Sequence, residues 1–163
     1  MKSSENTKNL VILLKDLARI NNDRVEGYRK ARKQAGNHPD LSSIFYEKSK
    51  QSEDFIHELQ EQVSKLEGDN SIDTSFAGKI FRIWMGIKNT FNKPDNAVSI
   101  LESCEFGEAA AIKAYDEALH SDVKIPASIR QQILEQQTAI KKSQDLIRKY
   151  GNLTIYGYNN SFT

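Results

Sequence analysis

Several residue types that define common protein classes are scarce in this chain. It has one cysteine, three prolines and eight glycines among 163 residues. The single Cys104 excludes an internal disulfide and any site that needs several cysteines, such as a zinc finger or an iron-sulfur cluster. So few glycines and prolines argue against a loop-rich or all-β chain. The apolar run from Leu10 to Leu14 is too short, and too soon interrupted by charge, for a membrane span or a secretion signal. A cytoplasmic protein is therefore expected.

An excess of charge of one sign is also missing. Twenty-three Lys and Arg residues stand against 22 Asp and Glu residues, which leaves a net charge of +1. This balance gives no electrostatic reason to expect a nucleic-acid partner. The short basic run around Arg29 to Lys33 is interpreted as a solvated helix end that complements the helix dipole.

The apolar residues that remain recur every three or four positions, which predicts helices. Four long helices are expected, the first from about Glu5 to Gln34, the second from near Pro39 to Gly68, the third from Val98 to Leu119 and the fourth from Pro126 to Gly151. Proline in a first turn and glycine just past a helix end support these bounds. Residues 1–151 would then form one domain, and residues 152–163 an extended C-terminal tail.

The lengths of the connections suggest how the helices are arranged. Short links between helices one and two, and between three and four, favour antiparallel neighbours. The longer stretch between helices two and three can serve as a crossover that contains a short amphipathic helix. We therefore expect an all-α, ferritin-like four-helix bundle, although an up-down-up-down bundle would give the same local pattern.

The short amphipathic helix is a candidate interaction element. Basic residues flank its apolar stripe, a pattern typical of helices attracted to anionic lipid. The same stripe is needed, however, to cover a helix end or a dimer seam in a bundle. We favour packing within the protein and self-association as a homodimer over membrane contact. The stripe consists of Phe76, Ile80, Ile83, Trp84, Ile87 and Phe91.

Polar residues interrupt every long apolar stripe at about the same depth. Because polar groups in a core cost stability unless they bond one another, this layer predicts either a network that fixes helix register or a site for an ion, water or small ligand. We favour the register network. The layer consists of Asn21, Asn22, Gln51, Ser52, Glu105, Glu108, Gln136 and Ser143.

Three segments give the chain a resemblance to a known family. They are Ile20-Asn-Asn-Asp-Arg-Val-Glu-Gly-Tyr28, Phe81-Arg-Ile-Trp84, and Glu102-Ser-Cys-Glu-Phe-Gly-Glu108 with Lys113-Ala-Tyr115 following. The chain resembles, from about Asn9 to Tyr150, the bacterial four-helix-bundle family of unknown function within the ferritin-like superfamily. The resemblance implies a ferritin-like fold, allows a stress-related role, and brings no established reaction.

The superfamily's di-iron members hold their metals with a Glu on each of two helices and a Glu-x-x-His pair on each of the other two. This chain departs from that pattern, because only Glu105 and Glu108 are expected to be inward carboxylates. The two near-matches to the spacing, Asp54-x-x-His57 and Glu117-x-x-His120, are expected to face away from the core. We therefore predict no catalytic residues, no di-iron centre and no cofactor.

Two functional classes, and a weaker third, follow from these patterns. The favoured class is a non-enzymatic structural or interaction protein. The competing class is a bundle that binds a metal or small ligand through Glu105 and Glu108. The third is peripheral membrane association through the Trp84 helix.

Overall fold

A computed structural model describes residues 2–36, 38–69, 72, 77–88 and 97–160. All the regular secondary structure in these ranges is α-helical. The helices are α1 (Lys2–Gln34), α2 (Pro39–Glu67), α3 (Lys79–Lys88), α4 (Ala97–Leu119) and α5 (Ala127–Asn160). The expected four long helices and one short helix are therefore all present.

Local signals fix the two ends of α2. Pro39 lies in the first turn, where its missing N–H costs nothing because the groups of that turn have no partner within the helix. Gly68 follows the last helical residue with a φ of 56°, a left-handed conformation that favours glycine, and donates its backbone N–H to the Ser64 carbonyl at 3.0 Å. Both predicted bounds are confirmed.

The end of α5 differs from the prediction. The helix does not stop at Gly151 but continues to Asn160. One interior glycine costs a helix only about 1 kcal/mol relative to alanine, and no proline follows to force an end. The expected extended structure is therefore wrong for residues 152–160, while residues 161–163 lie outside the described ranges.

The apolar core is divided into two parts along the bundle. One part joins the N-terminal half of α1 and the C-terminal half of α2 to the C-terminal half of α4 and the start of α5, and includes Leu14, Leu59 and Ile133. The other lies at the opposite end and includes Phe45, Leu101 and Ile147. Between the two parts lie buried polar side chains from all four long helices, namely Asn21, Arg24, Ser52, Glu108 and Ser143.

Two carboxylates of α1 hold α3 against the bundle. Asp16 accepts hydrogen bonds from the backbone N–H groups of Gly78 (2.9 Å) and Phe81 (3.3 Å), so it caps the start of α3. Two turns further along α1, Asp23 accepts hydrogen bonds from the Trp84 indole N–H (2.8 Å) and from the Lys88 ammonium group (3.1 Å). The short helix is thus fixed at both ends, and it also packs on α4.

None of the described helices combines the length and the apolar composition that crossing a bilayer requires.

Candidate functional site

The polar layer centres on an ion pair between α1 and α4. The Nε and Nη2 atoms of Arg24 donate to the two carboxylate oxygens of Glu108, each at 2.8 Å. Arg24 is 4% exposed and Glu108 is 1% exposed. This two-point geometry is the strongest arrangement available to an arginine and a carboxylate, and it uses both oxygens of the acid.

Arg24 also connects the other two long helices to the pair. Its Nη1 donates to the Asn21 side-chain oxygen at 2.8 Å, and its Nη2 reaches the Gln51 side-chain oxygen at 3.4 Å. The Ser143 hydroxyl lies 3.2 Å from the same Gln51 oxygen and 3.0 Å from the Ala139 carbonyl of its own helix, so these two acceptors share its one proton. One guanidinium therefore links α1 to α4 directly and to α2 and α5 through an amide.

A second branch of the network runs through Tyr115. Its hydroxyl accepts from the Asn21 amide at 2.8 Å and donates to the Gln136 side-chain oxygen at 2.7 Å. Gln136 in turn donates to a Glu58 carboxylate oxygen at 2.8 Å. Every link has a donor facing an acceptor, so the network is internally consistent over all four long helices.

Burial and the ion pair set the charge states in the layer. Burial alone would lower the pKa of Arg24, but the adjacent Glu108 carboxylate holds it above its usual value. Burial raises the pKa of Tyr115. Burial, followed by the charge of Glu108, raises the pKa of the Cys104 thiol to about 12. At neutral pH the arginine is therefore charged, while the phenol and the thiol are neutral.

The structure brings part of the expected layer together. Asn21, Glu108, Gln136 and Ser143 are buried and Gln51 is half-buried, and all five belong to the network. Ser52 is buried but donates only to the Lys48 carbonyl of its own helix, at 2.8 Å.

Two expected members of the layer lie elsewhere. Asn22 is exposed, because it lies about 100° around α1 from Asn21. Glu105 lies at the surface, where it accepts a 2.6 Å hydrogen bond from the half-exposed Arg148. Glu105 and Glu108 therefore do not form a common carboxylate site.

The expected interaction helix packs on the bundle through its central residues. Ile80 and Trp84 are each 4% exposed, and Ile83 and Ile87 are half-buried. Phe76 and Phe91, the ends of the expected stripe, lie outside the described residues.

Sequence reasoning missed the centre of the site. It named neither Arg24, nor Tyr115 as a polar partner, nor Glu58. A signal for Arg24 was present, since it lies seven residues after Leu17 and four before Tyr28 on the same face of α1. That position predicts a buried side chain even though arginine is usually a surface residue.

Within the described ranges no three His, Cys, Asp or Glu residues lie close enough together to hold a metal ion. The two near-matches in the sequence are at the surface, because Asp54, His57, Glu117 and His120 are all exposed.

The described residues form a helical bundle whose centre is a hydrogen-bonded network around a buried ion pair. A comparison with protein families places residues 10–121, which reach from α1 to the end of α4, in a domain of unknown function, DUF2383. The match covers more than half of the chain, so the chain belongs to this family. No curated protein matches it.

Proposed function

We propose that this chain is a ferritin-like four-helix bundle of the cytoplasm that acts as a non-enzymatic structural or interaction protein and self-associates as a dimer. The observation that carries the proposal is the pair of Arg24 and Glu108. Ferritin-like oxidases hold cations between carboxylates in the centre of the bundle. Here the positive charge comes from a side chain of the protein.

The directions of the helices support the ferritin-like part of the proposal. Two pairs join α1 to α4, Asn21 with Tyr115 and Arg24 with Glu108, and the higher number in α1 meets the lower number in α4. These helices are therefore antiparallel. Since α1 and α2 are joined by a short turn and are also antiparallel, α2 and α4 point the same way. Two consecutive parallel helices need a connection as long as the bundle, which residues 68–96 supply.

The chemistry of the network supports a non-enzymatic role. Both oxygens of Glu108 are bonded to Arg24, and the Tyr115 hydroxyl has a donor on one side and an acceptor on the other. Proton exchange with a substrate at Tyr115 would have to break one of these hydrogen bonds, and at Glu108 it would disturb the two bonds to Arg24. Such a layer specifies helix register.

The competing functions receive less support from the same contacts. A metal site through Glu105 and Glu108 would need the two carboxylates to converge, but Glu105 is paired with Arg148 at the surface. Membrane association through α3 would need its apolar stripe to be free, but Ile80 and Trp84 are buried against the bundle.

Iron loading and oxygen consumption test the proposal. Purified protein is incubated with Fe²⁺ without oxygen, desalted, and analysed for metal, and a second sample is mixed with Fe²⁺ in air while oxygen is measured. We expect iron well below one ion per chain and oxygen consumption equal to that of buffer. Two tightly bound ions per chain, or catalysed oxygen consumption, would overturn the non-enzymatic proposal.

Light scattering tests the proposed dimer. It should give twice the 18.5 kDa chain mass, and the mass of a monomer would overturn self-association.

A further inference from the structure

A cleft between α1, α3 and α4 lies beside the buried network, and Arg24 and Glu108 belong both to the network and to the wall of the cleft. Its volume is about 300 Å³. This is the lower end of the range for small-molecule sites, and twice the volume of an apolar cavity that holds benzene. Its walls include Tyr28, Ala31, Trp84, Ile100 and Cys104, and Arg24 and Glu108 lie along its inner side.

The wall side chains present apolar surface to the cleft. The indole N–H of Trp84 is already bonded to Asp23, so the polar atom of the ring is occupied. The Cys104 thiol remains protonated at neutral pH because burial raises its pKa to about 12. Ala31 and Ile100 are aliphatic. The body of a ligand held here would be apolar.

Gly27 makes part of the space. It lines the cleft, and a Cβ atom added to it would meet no heavy atom within 4 Å. A larger side chain at this position would therefore extend into open volume rather than into the packed helices.

The mouth of the cleft carries net positive charge. Lys30, which is exposed, and Lys88, which is half-buried, line the cleft on this solvent-facing side, and Asp23, also in the wall, accepts a hydrogen bond from Lys88 at 3.1 Å. Two ammonium groups against one carboxylate leave one positive charge. Arg24 and Glu108, on the inner side, neutralise each other. A ligand with one negative charge at the mouth would complete the balance.

We propose that this cleft binds a small amphiphile with an apolar body and one anionic group, of the medium-chain carboxylate class. The apolar body lies between Trp84 and Ile100, and the carboxylate lies at the mouth near Lys30 and Lys88. The inference goes beyond the proposed function, because the residues that would contact the ligand, Trp84, Ile100, Lys30 and Lys88, are not members of the hydrogen-bonded layer.

Titration with octanoate, followed by NMR, tests the inference. Trp84 is the single tryptophan of the chain, so its indole N–H gives one distinct signal in a ¹H–¹⁵N spectrum and reports from the wall of the cleft. We expect a saturable shift of this signal with octanoate. Octan-1-ol, which has the same chain length without the charge, should bind about fivefold more weakly, the upper range for one solvent-exposed ion pair.

Two variants with matched controls locate the contacts. Lys30→Gln should reduce octanoate affinity to that of octan-1-ol and leave octan-1-ol unaffected, whereas Lys33→Gln, on the same exposed helix end but outside the cleft, should change neither. Gly27→Leu should abolish binding of both probes. Gly86→Leu, at another helical glycine with no heavy atom near an added Cβ, should not.

The outcomes that overturn the inference are specific. Absence of a saturable octanoate shift would show that the cleft takes no such ligand. Equal affinity for octanoate and octan-1-ol in the wild-type chain would refute the claim that the negative charge of the ligand contributes to binding. Unchanged octanoate binding by Gly27→Leu, with its helical circular dichroism intact, would place binding outside the cleft.

Discussion

Removing one member of the central ion pair should be far more harmful than removing both. Arg24→Met leaves the Glu108 carboxylate, 1% exposed, without its counter-charge, and Glu108→Leu leaves the guanidinium in the same situation. Each single change should lower the free energy of unfolding by about 3–5 kcal/mol, because an uncompensated charge remains in the core. The double variant Arg24→Met/Glu108→Leu leaves no charge there and should recover most of that loss.

Urea unfolding of the four proteins, followed by far-ultraviolet circular dichroism, measures this coupling. A matched control is the pair of Arg148 and Glu105, which joins the same residue types at the surface with side chains 53% and 31% exposed. Its two single variants should change the unfolding free energy little, and their effects should add. If a single core variant is too unstable for a clear transition, sucrose added equally to all proteins restores one.

Additive effects at Arg24 and Glu108 would refute the reasoning. So would single-variant losses no larger than those of the surface pair. Either result would mean that water reaches the pair in solution, and that the ion pair does not hold the layer together.

Three further predictions concern buried groups and the docking of α3. Tyr115→Phe should cost about 2 kcal/mol of unfolding free energy, about 1 kcal/mol for each of the two hydrogen bonds lost, whereas Tyr28→Phe removes a buried hydroxyl that makes no well-formed hydrogen bond and should cost less; equal losses in urea unfolding would contradict this. The pKa of Cys104 rises from 9.0 to about 12 on folding, so the neutral thiol is favoured in the native state and stability should fall as pH rises from 9 towards 12. Its reaction with a disulfide reagent at pH 8 should be slow in buffer and fast in urea; equal rates would refute the burial of the thiol. Gly78→Ala would push a methyl group against the capping carboxylate of α1 and should shift Trp84 fluorescence to the red, while Gly86→Ala, with open space, should leave the spectrum unchanged.

The parts of the fold that could be predicted are those with local causes. Pro39 and Gly68 bound α2 through their own backbone chemistry, which does not depend on the rest of the chain. Gly151 carries the same signal as Gly68 but lies within α5. A glycine permits a helix to end and does not compel it, so its effect depends on whether the following residues continue to bond.

The candidate site could be predicted only in its outline. Asn21 and Gln136 were found because amides on an apolar stripe are conspicuous. The position of Arg24 on the apolar face of α1 indicates burial, but the counter-charge that allows an arginine to be buried there, Glu108, lies 84 positions away in the chain. Glu105 is the opposite case. Its position near the apolar stripe of α4 predicted a buried side chain, but its partner, Arg148, holds it at the surface. The pairing of charges between distant helices decides such cases, and no local pattern contains it.

The arginine at the centre of the bundle has a consequence for how the protein matures. In a bundle whose central acids need bound ions, a newly made chain stays electrostatically incomplete until those ions arrive, and its yield follows their supply. Here the balancing positive charge is the side chain of Arg24, which is present as soon as the chain has been synthesised. Iron depletion or zinc excess during expression should therefore leave the amount of correctly folded protein unchanged.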